Sequence, residues 1–233
     1  MLATETGFLA PRVSRTALGH FFKNYGQSMI LEKLIVFTRY PEPGTTKTRL
    51  IPVLGKTGAA NLHRLMAQRT IACALSLQKS RQLSVEIHRA GGSQQLMQEW
   101  LGNDIICEKQ RDGDLGARMT AAFENSFNSG VEKTAIIGTD CPGLKAEIMA
   151  QAFEELSQHD LVLGPAKDGG YYLIGLRRSI PELFGGIDWG SSEVFACTRA
   201  IAEKLDLNIA YLPTLADIDR PEDLLGLDIN ILK

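Results

Sequence analysis

Short apolar runs bounded by glycine, proline and polar residues alternate along this chain with longer stretches of helical period. A continuous run of three or four apolar residues is the pattern of a parallel strand buried on both faces. Such runs predict strands at 34–37 (LIVF), 105–107, 135–137 (AII), 161–163, 171–176 and 208–212, and strict alternation in LSVEIH predicts another at 83–88. Apolar residues at three- and four-residue spacing predict helices over 57–80, 93–100, 114–127, 145–157 and from Ser191 or Ser192 to about residue 205. Asp114 reads as the N-cap of the third, and one of the two serines as that of the last. Strands alternating with helices imply parallel crossovers, so the fold class expected is α/β, a three-layer α/β/α Rossmann-like sheet. Asp168-Gly169-Gly170, lying between two strand-like runs, signals a hairpin and therefore one antiparallel strand.

The 233 residues suffice for one such domain, and no stretch reads as a linker between two. Residues 1–28 lack the period that follows and carry Arg12, Arg15 and Lys23 against the single acid Glu5. They read as an N-terminal extension ahead of a start at Met29, in preference to a transit peptide, with 29–233 as the domain. Lys+Arg 25 against Asp+Glu 27 leaves a net charge of -2, which removes the electrostatic case for nucleic-acid binding and points to a small-molecule partner. Cys73, Cys107, Cys141 and Cys197 form no CxxC pair, so neither a zinc knuckle nor a disulfide framework is indicated, and a reducing cytoplasm is the expected location. No apolar run reaches the roughly 18 residues of a membrane-spanning helix. Nothing in the pattern speaks to oligomeric state.

Ligands of open α/β sheets bind beyond the C-terminal ends of the strands, and polar segments follow several of the predicted strands there. After the first, a loop broken by Pro41, Pro43 and Gly44 presents Arg39, Lys47 and Arg49 with the hydroxyls of Thr45, Thr46 and Thr48. Cations, hydroxyls and the backbone amides after Gly44 suit a polyphosphate; the alternative is a solvated basic loop. It is not a Walker A loop, because Thr46 replaces the glycine before Lys47 and the upstream glycine is missing. In QRDGDLGARM, a helix N-terminus with Arg118 in its first turn favours an anion, unless Arg118 pairs with Asp112 or Asp114 at the surface. Asp140, just past 135–137, can hold Mg²⁺ or Mn²⁺ against a nucleotide's phosphates, or merely cap the next helix. Asp168 and Lys167 belong at the hairpin tip, where they would help enclose a substrate or simply make the turn. Asp217 and Asp219 are a second source of metal ligands that spacing does not separate. His63 reads as a surface residue on the polar side of its helix.

In order, PxPGxxKTRL, DGDLGxRM, GTDCPGL, DGGYYLIGL, DWGSSEVF and DIDRPEDL closely resemble the bacterial DUF2064 family of glycosyltransferase-A-like proteins. That family is similar in turn to 2-phospho-lactate guanylyltransferases and molybdenum-cofactor nucleotidyltransferases. The resemblance covers residues 34–227. It implies a GT-A (nucleotide-diphospho-sugar transferase) fold in which Lys47 and Arg49 contact phosphate, Asp140 and Asp219 bind metal, and Asp168, Gly169 and Gly170 form the acceptor-side loop. Trp189 and Ser191, in the DWGSSEVF run, join the expected substrate-binding set. Thr139-Asp140-Cys141 offers one acid, so a full DxD is absent, and Arg220 stands where the family's DTPEDL has threonine.

The reading these features support first is a metal-dependent transferase moving a sugar from a nucleotide sugar to a small-molecule acceptor, with Lys47, Asp140 and Asp168 as catalytic residues. Arg39, Gly44, Thr45, Lys47, Arg49 and Arg118 would bind the nucleotide, and Mg²⁺ or Mn²⁺ is the expected cofactor. The alternative is a nucleotidyltransferase joining an NTP to a phosphorylated small molecule with release of pyrophosphate. A nucleotide-binding protein without chemistry ranks below both. Asp168 and Asp188 are the candidates for a general base.

Overall fold

The computed structural model describes residues 31–227, so the expected extension at 1–28 lies outside the described residues. One seven-stranded sheet contains β1 (Glu32–Arg39), β2 (Leu83–Ala90), β3 (Ile106–Lys109), β4 (Lys133–Ile137), β5 (Leu161–Pro165), β6 (Tyr171–Leu176) and β7 (Ile209–Tyr211). Their spatial order is β3-β2-β1-β4-β6-β5-β7. All named pairs are parallel except those of β6, which runs antiparallel to both β4 and β5. The Asp-Gly-Gly turn is the hairpin that reverses it.

The helices are α1 (Ile51–Ser80), α2 (Gln94–Leu101), α3 (Leu115–Asn128), α4 (Ala146–Glu155) and α5 (Val194–Lys204). Strand β1 shows why they form two layers. Leu34 and Val36 join a core with Ile71 and Ala74 of α1 and Phe153 of α4, whereas Ile35 joins Met119 and Phe123 of α3 on the other face. All three β1 residues are fully buried, as a continuous apolar run requires. The result is the three-layer α/β/α architecture of the GT-A-like transferases.

Two local expectations need correction. Helix α1 starts at Ile51, with Pro52 in its first turn and a break at Gly55 (φ 69°, ψ 168°), before any apolar period begins. Neither Ser191 nor Ser192 caps α5: Glu193 holds the N-cap position, and the Ser191 hydroxyl donates back to the Asp188 carbonyl at 2.8 Å. At the 3-10 turn Pro221–Gly226 the cap is Asp223, whose carboxylate accepts from the backbone N–H groups of Asp219 and Arg220 at 2.9 and 2.7 Å. The Asp219 side chain is thereby left to face the sheet edge.

From β1 the chain winds outward through β2 to β3, then returns to place β4 on the other side of β1. Such a reversal opens a crevice beyond the C-terminal ends of the two central strands. The hydroxyls of Thr38 and Thr139, one after each strand's core, meet there at 3.4 Å.

Candidate functional site

Two cavities lie over this crevice, divided by Asp140, Asp219 and Leu115, which line both. The smaller, of about 250 Å³, is bounded by Arg39, Thr46, Lys47, His63, Gln110 and Arg118. The larger, of about 790 Å³, is bounded on its far side by Asp168, Gly170, Trp189, Ser191 and Asp217. Of the residues expected to bind the nucleotide, Arg39, Lys47 and Arg118 thus line the smaller cavity, whereas Arg49 lines the larger one with Asp168 and Gly170, and the two cavities communicate at two aspartates.

Lys47 joins the loop after β1 to that divide. Its ammonium lies 2.6 Å from Asp140 Oδ1 and 3.6 Å from Asp219 Oδ1, and donates to the Ile218 carbonyl at 2.5 Å. Burial lowers the lysine's pKa, but the facing carboxylates of Asp140 and Asp219 outweigh it and hold it above the ordinary value. Asp140 shows the mirror effect: its crowded position pushes the carboxyl up, and the Lys47 charge more than reverses this, leaving it below the usual range. The Asp140 side chain is nonetheless 53% exposed to the cavities, against 5% for Lys47. Arg49 forms an ion pair with the other Asp219 oxygen.

Arg118 pairs with neither Asp112 nor Asp114 side chains. Its Nη1 donates to Gln110 Oε1 at 2.7 Å and its Nε to the Asp114 carbonyl at 3.2 Å, while the Asp114 carboxylate caps α3 by accepting from Ala117 N–H. Burial and the nearby Arg39 charge both lower the Arg118 pKa, against a smaller opposing pull from Asp114. Gly44 and Thr45 line neither cavity: Gly44 packs beside Lys56, and the Thr45 hydroxyl turns to Glu42. Thr46 is the hydroxyl that shapes the loop, donating to the Tyr40 carbonyl and accepting from Glu42 N–H, both at 3.2 Å.

In the larger cavity, Asp168 Oδ1 accepts from Gly170 N–H at 2.8 Å, closing the hairpin turn. Gly169 has φ +88° and so little room that a Cβ would stand 2.0 Å from the Ser192 carbonyl oxygen. The glycine of DGDLG serves a similar purpose: a Cβ on Gly116 would lie 2.7 Å from Trp189 Nε1, so the backbone approaches this indole. Asp188 does not line either cavity, which leaves Asp168 as the better placed of the two candidate bases. Asp217 stands with Asp168 in the larger cavity, and burial together with the Asp168 charge raises its pKa.

His63 is not a surface residue. It is 4% exposed, and its Nε2 donates to the Arg39 carbonyl at 3.0 Å. Burial, countered in part by Asp140, lowers its pKa and keeps the ring neutral. Gln110, 7% exposed, carried no recognisable signal in the sequence because its partners come from β1, β2 and α3.

A profile of the family described as uncharacterized proteins conserved in bacteria, DUF2064, matches residues 71–191. A phosphoenolpyruvate guanylyltransferase of Chloroflexus aggregans is 28% identical over 182 residues, 76% of this chain and 88% of that protein. A 2-phospho-L-lactate guanylyltransferase of Methanopyrus kandleri is 33% identical over 95 residues, 39% of this chain and 47% of that protein. Among solved structures, a candidate nucleotide-diphospho-sugar transferase from Desulfovibrio desulfuricans G20 superposes with a TM-score of 0.79 at 33% identity, covering 84% of this chain and 85% of that one. With just over half of the chain matched by the family profile, on top of the motifs that line the two cavities, this protein belongs to the DUF2064 family.

Proposed function

We propose that this protein is a nucleotidyltransferase. A phosphate oxygen of a small phosphorylated acceptor attacks the α-phosphorus of a nucleoside triphosphate, the bond from that phosphorus to the α,β-bridging oxygen breaks, and pyrophosphate leaves. The observation that carries this reading is the partition of the crevice into two compartments meeting at Asp140 and Asp219. The smaller gathers Arg39, Lys47 and Arg118, three cations suited to a triphosphate, and the larger has room for an acceptor. Transferase chemistry is common to the relatives, and those named for guanylyl transfer favour this reaction, with GTP as donor, over glycosyl transfer.

The chain's own residues supply positioning and charge, which is most of what phosphoryl chemistry asks of a protein. Arg39, Lys47 and Arg118 orient the phosphates and stabilise charge gathering on the departing pyrophosphate. Asp168 and the Gly169-Gly170 backbone hold the acceptor. No general base is required, because a phosphate monoester with a second pKa near about 6 is already an anion at neutral pH.

The donor set fits Mg²⁺ or Mn²⁺. Asp140 and Asp219 turn hard carboxylate oxygens toward one shared cation position, and Mg²⁺ commonly takes one or two carboxylates with substrate phosphates and water completing its shell. Among the described residues no group of three metal-ligating side chains offers a self-sufficient site, so the ion would be held jointly with the nucleotide. When bound, it would neutralise charge on the phosphates.

Glycosyl transfer from a nucleotide sugar, the first expectation from the sequence, is the second reading and is favoured by the name of the Desulfovibrio relative. The two separate in a ³¹P NMR assay with Mg²⁺. GTP with phosphoenolpyruvate or 2-phospholactate is expected to yield pyrophosphate and a product retaining the acceptor's phosphate. Nucleoside diphosphate released from a nucleotide sugar, with no pyrophosphate from any NTP and any phosphorylated acceptor, would assign glycosyl transfer instead.

A further inference from the structure

The two aspartates offered to a metal ion already hold a cation that belongs to the chain. The Lys47 ammonium sits against Asp140 Oδ1 at 2.6 Å and Asp219 Oδ1 at 3.6 Å, with the Ile218 carbonyl as a third partner at 2.5 Å. A divalent ion bridging these carboxylates would need the space and the charge balance that Lys47 now supplies. The lysine cannot simply be expelled, since an ammonium on a side chain only 5% exposed, stripped of its partners, would be an unpaired buried charge. Arg49, the other cation on Asp219, is 60% exposed and can swing into solvent, so it imposes no such constraint. Lys47 therefore needs a second partner before it can leave. The smaller cavity, lined by Lys47 itself together with Arg39 and Arg118, is where an anion would provide one. The backbone of Lys47 is left-handed (φ 50°, ψ 47°), a conformation that a non-glycine residue keeps only where its surroundings over-determine it.

We propose that Lys47 keeps the two-aspartate cation site closed in the nucleotide-free protein, and that a nucleotide's polyphosphate opens it by giving the ammonium another partner. The identity of the anion rests on the nucleotidyltransferase reading; the closure does not. The consequence is an order of binding in which nucleotide arrives before the metal or with it, and metal alone binds weakly. Linkage makes the effect reciprocal, so metal on the aspartates frees Lys47 for phosphate and tightens nucleotide binding.

The test uses Mn²⁺ alone, with no nucleotide, and reads bound ion from the loss of the free-ion EPR signal. Lys47→Met keeps the length of the side chain and removes its charge. If the closed form holds about nine-tenths of nucleotide-free molecules, the wild type's apparent affinity is lowered about tenfold. Lys47→Met is therefore expected to bind Mn²⁺ about tenfold more tightly than wild type, and Lys47→Met/Asp140→Asn to lose that gain. Equal or weaker binding by Lys47→Met would overturn the proposal, as would tight binding that survives in the double variant. Should Lys47→Met fail to fold without metal, recovery of a cooperative melting transition in Mn²⁺, absent from the double variant, becomes the readout. A Lys47→Met chain that stays unfolded in saturating Mn²⁺ counts against the proposal, because the ion should replace the missing cation. With no nucleotide in the assay, a protein that turns over no NTP can still pass it, and one that makes the nucleotidyl product can still fail it.

Discussion

Arg118 donates to the side-chain oxygen of Gln110 at 2.7 Å, while the amide nitrogen of the same Gln110 donates to the His88 carbonyl at 2.8 Å. One buried amide thus fixes a cation of the smaller cavity to the end of β2, and its two halves do different work. Gln110→Leu is expected to lose both: stability falls by about 1 kcal/mol because the buried hydrogen bond from the amide to the His88 carbonyl is lost. Nucleotide affinity falls about tenfold, the equivalent of about 1.4 kcal/mol, because Arg118 is no longer aimed. Gln110→Glu restores an acceptor for Arg118 but no donor for the carbonyl. Calorimetric titration with GTP and urea unfolding should therefore separate in that variant, affinity recovering while stability does not. Loss of both together would mean that the pair acts only through the fold.

Asp140→Asn keeps the shape of the central side chain and removes its charge. Turnover under saturating Mg²⁺ is expected to fall by at least about 100-fold, the scale of removing one preorganised electrostatic group. The fold survives, since Lys47 retains Asp219 and the Ile218 carbonyl as partners. Unchanged turnover in a variant with a native circular dichroism spectrum would remove Asp140 from the chemistry under either transferase reading.

Strand positions and the single reversed strand were legible in the chain because each rests on a local signal: an apolar run such as Leu34 to Phe37, or the Asp-Gly-Gly turn before β6. That Lys47, Arg118, Asp140, Asp168 and Asp219 lie beyond strand ends was legible too, because each follows a predicted strand. Their mutual arrangement was not. That Lys47 stands between two aspartates depends on the loop after β1 folding across to residues far along the chain, and no spacing encodes it. His63 was misread for the same reason: its helix face looks polar until the Arg39 carbonyl is brought over it. Nor does residue type in the loop after β1 reveal that the Thr45 hydroxyl donates to Glu42 and that Gly44 and Thr45 line neither cavity.

The buried His63 sets a pH dependence whose sign follows from its lowered pKa. In the folded protein the ring stays neutral, with Nε2–H held by Arg39; in the unfolded chain it takes up a proton as pH falls through about 6.5. Below that value the unfolded state binds more protons, so stability declines as pH falls from about 6.5 toward the folded-state pKa, with a limiting slope of about 1.4 kcal/mol per pH unit. His63→Gln keeps an N–H donor for the Arg39 carbonyl and does not titrate. Urea unfolding between about pH 5 and 8 should show the wild type losing stability relative to this variant on the acid side only; parallel curves would place no protonation cost on His63.

Gly169→Ala tests whether acceptor binding and nucleotide binding are separate, as the proposed function requires. Its φ of +88° and the 2.0 Å approach a Cβ would make to the Ser192 oxygen mean that Gly169→Ala cannot be absorbed by a side-chain rotation, because the obstructing atom is backbone. The loop bearing Asp168 must shift, and the backbone bond from Phe195 N–H to the Gly169 carbonyl, which ties this loop to α5, shifts with it. A displacement of about 1 Å at a positioning element costs about 100-fold in rate. The expected outcome is a large rise in acceptor KM and a fall in kcat, with GTP affinity unchanged, because the smaller cavity lies on the other side of Asp140 and Asp219. Equal loss of GTP and acceptor binding would show that the two compartments are not independent, and would undercut the division of the crevice on which the nucleotidyltransferase reading stands.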